Sequence, residues 1–485
     1  MEGRVGSFAR VLADFEARLG NAAFVAIDAE LTGVDIEGEP DSFADIATER
    51  FLKLCRVAER YTIIQLGLTL VEAAGGEEGR WACASYNVFV FPAVEPESTG
   101  RVSRFVCQTS SMLFNARHDL DFNAWVKEGV PYRSREDETQ DLARAAAAGE
   151  DSLFPRPESG DALQLWKALC AARLPLVVHC PLDVFFLLAA FERRQLPREP
   201  KEFARLVRRC FRQVYDTAHL AGAIGCFRRL GLTKLFEDAK DRHQRLCSRG
   251  HDIAPVSFEL EGQTAARYGR CGAPGDGPAH EAGYDSLMTA QLFAYFRAIG
   301  PEEVGAGVNR LFLYRSTECL DLDLAGTEDR IGCCAYDLCR SRLFVAELCE
   351  ADDVTAARMV SGGGAEYQWV DARSLLVIVR APQGDAAEAA LQQLSQRLGG
   401  RVSRWTPFDD WHGSLRLNGC SPIVLDKSCR RAVFPRRATA IVLLAALFLG
   451  AISRYHRQRA LAARLRLLRT ASLLRLRSWI SAMAK

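Results

Sequence analysis

The stretch "FVAIDAELTGV" (Phe24 to Val34) runs four apolar residues into Asp28 and Glu30. Residues two apart in a strand point to one face, so these carboxylates project together. Two acids ending a buried strand are costly unless a cation sits between them, and a divalent ion is the natural partner. In "LPLVVHCPLDVFFLLAAF" a second apolar strand (Leu174 to Val178) is followed by a turn and by Asp183 at the head of an apolar helix. A fourth acid comes from "PAHEAGYDSL", where Asp285 falls on the first turn of a helix through "SLMTAQLFAYF". His280 stands five positions earlier, ~140° off that face on a continuous helix, which places it in the lead-in loop, free to swing over the site. Four acids and one His form a two-metal constellation for phosphodiester hydrolysis. Two Mg²⁺ ions ~3.5–4 Å apart clamp the scissile phosphate, and the imidazole takes the proton of the attacking water.

Strands that end in acids and alternate with helices call for an α/β domain, here residues 1–300. The chain has 485 residues, enough for a second folded unit. Residues 307–412 supply it, in the order β-α-β-β-α-β of an RNA-recognition-motif (RRM-like) α+β fold. Its "ARSLLVIV" lacks the aromatic pair on which such domains stack bases, so a packing or dimerisation role is as open as RNA binding; Trp369 is the one aromatic placed to stack. The stretch Arg135 to Asp161 is acidic, Ala-rich and Pro-punctuated, and reads as a surface excursion or partly disordered linker.

Beyond a linker at 413–437, Ala438 to Ser453 is an uncharged, largely apolar run of 16 residues between arginines. As a helix it reaches ~24 Å against a hydrocarbon core of ~30 Å, and flanking arginines can snorkel. A transmembrane helix is the expectation; a buried core helix is the alternative, awkward to pack without a polar face. The tail 454–485 carries eight Arg and one Lys and no acid, so the formal charge of +1 divides into a body near −8 and a basic end suited to an anionic membrane surface. The 16 cysteines are scattered without a CxxC pair, which favours a reducing compartment, and Cys333, Cys334 and Cys339 lack a His at zinc spacing.

The residues that carry a family likeness are "FVAIDAELTGV", "RFVCQTSSMLFNARHDLDFNAWVKEGVPY" (Arg104 to Tyr132), "LDVFFLLAAF" with "VYDTAHLA", and "HEAGYDSLMT". In them the chain resembles the poly(A)-specific ribonucleases, RNase H-like exonucleases of the DEDD type with the His variant, over most of residues 1–300. The resemblance implies Mg²⁺-dependent 3′→5′ removal of nucleotides from the 3′ end of single-stranded RNA, releasing 5′-monophosphates. It makes Asp28, Glu30, Asp183 and Asp285 the metal ligands and His280 their catalytic companion. Family members usually carry Gly-His-Asn before the second-motif Asp; this chain reads "VVHCPLD", one residue shorter, which leaves the role of His179 open. Asp216 in "VYDTAHL" reads as a support to the site. The inserted nucleic-acid-binding domain is replaced by the acidic stretch, and Trp369 matches a cap-binding position without other cap-site residues.

A reduced plan with a C-terminal transmembrane helix is that of the membrane-anchored members, which trim PIWI-interacting RNA (piRNA) precursors in the germline. That likeness implies RNA held by a PIWI protein and brought in by a Tudor-domain adaptor. It places the enzyme on the endoplasmic reticulum or mitochondrial outer membrane with the nuclease facing the cytosol, and leaves open pairing into a homodimer. A general poly(A) deadenylase and a catalytically silent RNA-binding scaffold are the alternatives.

Overall fold

The apolar run before Asp28 folds as an inner strand of a mixed sheet. In chain order the elements begin β1 (Glu2–Gly3), α1 (Phe8–Leu19), β2 (Ala22–Leu31), α2 (Ala47–Arg60), β3 (Ile63–Ala73) and β4 (Arg80–Pro92). Then come α3 (Thr109–Arg117), α4 (Phe122–Glu128), β5 (Val130–Tyr132), α5 (Arg135–Ala148), α6 (Ala162–Ala172), β6 (Leu176–Val178) and α7 (Pro181–Phe191). α8 (Pro200–Cys210), β7 (Val214–Asp216), α9 (Thr217–Ile224), α10 (Leu232–Ser248), β8 (Ser257–Leu260), α11 (Gly262–Tyr268), α12 (Ala282–Ile299) and α13 (Pro301–Ala306) follow. The sheet order is β1-β4-β3-β2-β6-β7, with β5 and β8 also paired to the long β4. β3 runs antiparallel to both β2 and β4, whereas β6 and β7 run parallel to β2.

This computed structural model describes residues 1–411 apart from 40–44, 46, 76–78, 95–103, 149–159, 225–230, 270–279, 314–317, 324–331, 334–342, 352, 363–364, 370–371, 380–384 and 409. The linker at 413–437, the apolar run Ala438 to Ser453 and the basic tail lie outside the described residues. Among the described residues no helix is long and apolar enough to cross a membrane.

Both faces of β2 are covered, which is why its sequence is a continuous apolar run rather than an alternating one. Val25, Ile27 and Leu31 join a core built with residues of α1, α2, α6, α7 and α8, while Phe24 and Ala26 join a second core with Val177, Leu287 and Phe293. Asp28 and Glu30 continue the Phe24–Ala26 side, toward α12.

The seating of α12 is set by a close approach. Gly67 pairs with Asp28 across the β2–β3 ladder, and a Cβ there would lie 1.8 Å from the Ala282 carbonyl oxygen. The first turn of a helix leaves backbone N–H groups without intrahelical partners. Here Ala282 N–H donates to Gln65 Oε1 (3.1 Å) and Gly283 N–H to Asn87 Oδ1 (3.1 Å). Side chains of β3 and β4 thus receive the helix end and fix where Asp285 stands.

Two sequence expectations are corrected. Most of the acidic stretch is no linker: Arg135–Ala148 forms α5, whose first turn holds Glu136, Asp137 and Glu138 where the helix dipole favours negative charge, followed by good helix formers. The boundary of the second unit also moves. β9 (Arg310–Phe312), β10 (Glu318–Asp321) and β11 (Gly332–Cys333) form a small antiparallel sheet. Its residues belong with the first unit: Leu311, Leu313, Leu320 and Leu322 enter the first core, Asn309 N–H donates to Val214 O (2.7 Å), and Phe312 N–H donates to Asp216 Oδ2 (2.8 Å).

The expected β-α-β-β-α-β order is seen in β12 (Leu343–Leu348), α14 (Val354–Gly362), β13 (Ala365–Trp369), β14 (Ser374–Val379), α15 (Asp385–Leu398) and β15 (Val402–Pro407). The four strands form an antiparallel sheet in the order β13-β14-β12-β15. One face packs on Ala356, Val360, Leu394 and Leu398; the other presents Leu343, Val345, Leu376 and Ile378 to Phe408 and Trp411.

If the contact of β3 with the end of α12 is as tight as described, Gly67→Val will lower stability by about 1–3 kcal/mol in urea titrations. Gly20→Ala, at a site where nothing lies within 4 Å, serves as the control and should leave the midpoint in place. Equal midpoints for both variants would contradict the seating described here.

Candidate active site

Three elements bring the four acids together. β2 supplies Asp28 and Glu30, the first turn of α7 supplies Asp183, and the first turn of α12 supplies Asp285. Glu30, Asp183 and Asp285 are only 9%, 4% and 8% exposed, and Asp28 keeps a partial opening to solvent. Ligand atoms of Glu30, His280 and Asp285 all lie within 4.8 Å of one another.

Burial raises all four acids, and the charges of neighbouring acids raise Asp28, Glu30 and Asp183 further. Burial and then the charges of Asp183, Asp285 and Glu30 push the Asp28 carboxyl well above the usual range. Glu30 is raised to about 8 by burial, Asp285 and Asp183. Burial, Asp216 and Asp285 raise Asp183, against a pull downward from the Ala29 N–H. Burial raises Asp285 to about 7, although the His280 N–H draws it down. Like charges sharing a site cannot all ionise unaided. The Asp183 Oδ2 and Asp285 Oδ1 atoms are moreover buried without a hydrogen-bond partner. A cluster of oxygen donors with orphaned lone pairs and unrelieved negative charge fits hard divalent cations.

His280 lies just before α12, as its spacing from Asp285 required, but it is held rather than loose. Its backbone adopts φ +68°, a conformation uncommon for a residue with a side chain. That geometry lets its N–H donate to Asp285 Oδ2 (3.2 Å). The imidazole packs against His118 (ring centroids 4.1 Å) and Phe114 (4.7 Å). Burial and the neighbouring His118 lower its pKa, so the ring is neutral at physiological pH and able to accept a proton.

Phe114 and His118 were not singled out from the sequence as site residues, although both lie in the "FVCQTSSMLFNARHDL" stretch. The structure shows what that stretch does. Gln108 N–H donates to Thr32 O (2.7 Å), Thr32 Oγ1 donates to Val106 O (2.9 Å), and Asn115 Nδ2 donates to Leu31 O (3.2 Å). These bonds stitch α3 to the end of β2 and present Phe114, 42% exposed, beside His280. Gln65 and Asn87 were missed as well, because only strand register reveals that they meet α12.

His179 Nδ1 bonds Thr217 Oγ1 (2.9 Å), tying the end of β6 to α9. Asp216 is buried, accepting from the Ala218 and Phe312 N–H groups, and acts on the site through the charge it sets beside Asp183. The remaining grouping of metal-ligating side chains among the described residues, Cys170, Glu192 and Cys210, lies in the apolar core, where Glu192 already accepts from Trp166 Nε1 (2.6 Å).

The raised carboxyls carry a stability signature. Groups held neutral by the fold but ionised in the unfolded chain cost stability as pH rises from the unfolded to the folded pKa. For Glu30 that window runs from 4.5 to about 8, and for Asp285 from 3.8 to about 7. Without added metal the protein should therefore melt lower at neutral than at mildly acidic pH. Asp28→Asn should raise the neutral, metal-free Tm by about 2–4 °C, and Mg²⁺ should raise the Tm of the parent more than that of the variant. A variant that melts lower than the parent without metal would contradict the repulsion described.

Comparison with known proteins agrees with this architecture. The profile of the CAF1 family of ribonucleases matches residues 5–153 and 156–293, more than half of the chain. Poly(A)-specific ribonuclease PARN of Arabidopsis thaliana is 33% identical over 177 residues, 36% of this chain and 26% of that protein. Poly(A)-specific ribonuclease PNLDC1 of Mus musculus is 32% identical over 124 residues, 25% of this chain and 23% of that protein. The matched stretches thus span about a quarter of the length of these relatives. A solved structure of S. pombe Pop2p in its Mg²⁺- and Mn²⁺-bound form aligns with 64% of this chain and 98% of its own at 16% identity, with a TM-score of 0.41. Profile, acid-bearing strand and mixed α/β sheet converge: this chain belongs to the CAF1 family of ribonucleases, with its RNase H-like α/β fold.

Proposed function

We propose that this protein is a divalent-cation-dependent 3′→5′ exoribonuclease that removes nucleotides from single-stranded RNA as 5′-monophosphates. The observation that carries the proposal is the grouping of Glu30, Asp285 and a neutral His280 within 4.8 Å of one another, with Asp28 and Asp183 coupled to it by charge. These four carboxylates would hold the cations, two Mg²⁺ ions in our reading. When bound, such ions neutralise the phosphate charge and make water a stronger nucleophile. The chain's own contribution is positional and protonic. Gln65 and Asn87 hold the end of α12 so that Asp285 faces Glu30. The His280 ring accepts the proton of the attacking water, while Phe114 and His118 pack against one side of the ring and fix its position. That assignment is the DEDD arrangement with a His.

The narrower reading is that the substrate is the 3′ end of a piRNA precursor held by a PIWI protein, delivered by a Tudor-domain adaptor to an enzyme anchored in a membrane. It is supported by the likeness to PNLDC1, by the apolar run Ala438 to Ser453, and by the basic tail. In that reading the nuclease faces the cytosol from the endoplasmic reticulum or mitochondrial outer membrane. A general deadenylase shares all the chemistry and is favoured by the name "poly(A)-specific ribonuclease" borne by the relatives. A silent scaffold is disfavoured, because Asp183, the acid of the altered motif, stands with the others. The second unit is better suited to packing or to homodimer formation than to base stacking. The sheet face away from its helices is a layer of buried Leu, Val and Ile.

The test is digestion of 5′-labelled RNA by the full chain in Mg²⁺ or EDTA. We expect 3′-end shortening in Mg²⁺ alone, with Asp28→Asn and Asp285→Asn slower by about 10²–10³-fold or more. His280 should give an acid limb to the rate profile below its ordinary value of 6.5. Naked poly(A) and PIWI-bound precursor compared in parallel separate the two substrate readings. Unimpaired shortening in EDTA would refute the site assignment.

A further inference from the structure

Helix α8 sinks Phe203, Leu206 and Val207 into the core and turns Arg205 and Arg209 outward. Arg173, in the left-handed conformation at φ +50°, donates from its guanidinium to the backbone carbonyls of Arg209 (3.0 Å) and Arg208 (3.1 Å). It thereby caps the C-terminus of α8 with a positive charge and adds itself to the ridge. With Arg193 these residues line an open groove of about 610 Å³ in which Glu202 is the only acid. Arg208 pairs with the exposed Asp323 (3.0 Å); the guanidinium groups of Arg193, Arg205 and Arg209 have no partner among the described residues. Five arginines converge on one face of a body whose charge is about −8.

We infer that this groove binds the phosphate backbone of RNA upstream of the 3′ end that enters the carboxylate site. The inference rests on the exoribonuclease reading and extends it. Arginines one helical turn apart are about 5–6 Å from each other at Cβ, a spacing suited to successive phosphates of an extended strand. The lining has no aromatic or exposed large apolar side chain. A folded protein partner would need such an anchor, a lipid surface would need apolar groups to insert, and base-specific recognition would need stacking platforms. What remains is charge-driven, sequence-independent contact with a polyanion. Arg193 follows Asp183 by ten residues, nearly all of them in α7, so the groove begins ~15 Å from the acids along that helix. A dinucleotide filling the acid site spans only about 6 Å at that spacing and does not reach it.

The test uses the full chain, with a triple Arg193→Gln, Arg205→Gln, Arg209→Gln variant and the matching triple Arg→Lys variant. Binding of single-stranded RNAs of about 2 and about 30 nucleotides is measured in Ca²⁺ across a salt series. For the Gln variant we expect at least a tenfold loss on the long RNA, a log–log salt slope shallower by about 2, and little loss on the short one. The Lys variant should keep most of the long-RNA affinity. Unchanged long-RNA affinity in the Gln variant, with the parent still shortening both RNAs, overturns the groove and spares the exoribonuclease reading. Loss of binding only to acidic peptide or to anionic vesicles, with RNA unaffected, overturns it too. A parent that shortens neither RNA overturns both.

Discussion

Four carboxylates crowded into one site, three of them buried, form the constraint on which the rest of this structure depends. In water such a cluster would disperse; here strands and helices from three regions of the chain hold it in place, and the outcome is a set of carboxyls driven toward neutrality. The fold carries this strain because a cation reverses its sign: charges that repel in an empty pocket become ligands in a filled one. Much of the local architecture reads as support for that arrangement. Gly67 lets α12 approach the sheet, Gln65 and Asn87 hold its end, and the Ala29 N–H steadies Asp183.

The second layer of the site concerns the proton. In the proposed mechanism His280 must be neutral and correctly turned, and both conditions have visible causes. Its left-handed backbone lets the N–H grip Asp285, so the proposed general base and a proposed metal ligand are positioned by one bond. The ring is confined by Phe114 and His118, which α3 presents because Gln108, Thr32 and Asn115 bind that segment to the end of β2. Acid cluster, base and aromatic wall are therefore one mechanical unit.

What could be read from the sequence follows from how local each signal is. The Asp28 and Glu30 strand declared itself because four apolar residues precede the acids, and the Asp183 and Asp285 helices because each acid opens an apolar helix. His280 was placed in a loop by helical geometry alone, yet its restraint by His118 was not, since that partner lies more than 150 positions away. Gln65 and Asn87 were invisible for a similar reason: their function depends on register between strands. The strands at Arg310–Phe312 and Glu318–Asp321 were joined to the wrong unit because polar bonds from Asn309 and Asp216, rather than any sequence pattern, attach them to the first. In the acidic stretch, read as a surface excursion or partly disordered linker, the charge and Pro content mask the helix propensity that forms α5.

The central claim is that this pocket exists to hold divalent cations. Calorimetric titration of the full-length protein with Mn²⁺ tests it most directly. We predict saturable binding of two ions per chain, with the stoichiometry or affinity collapsing in Asp285→Asn. Absence of saturable binding, or identical isotherms for parent and variant, would contradict the account.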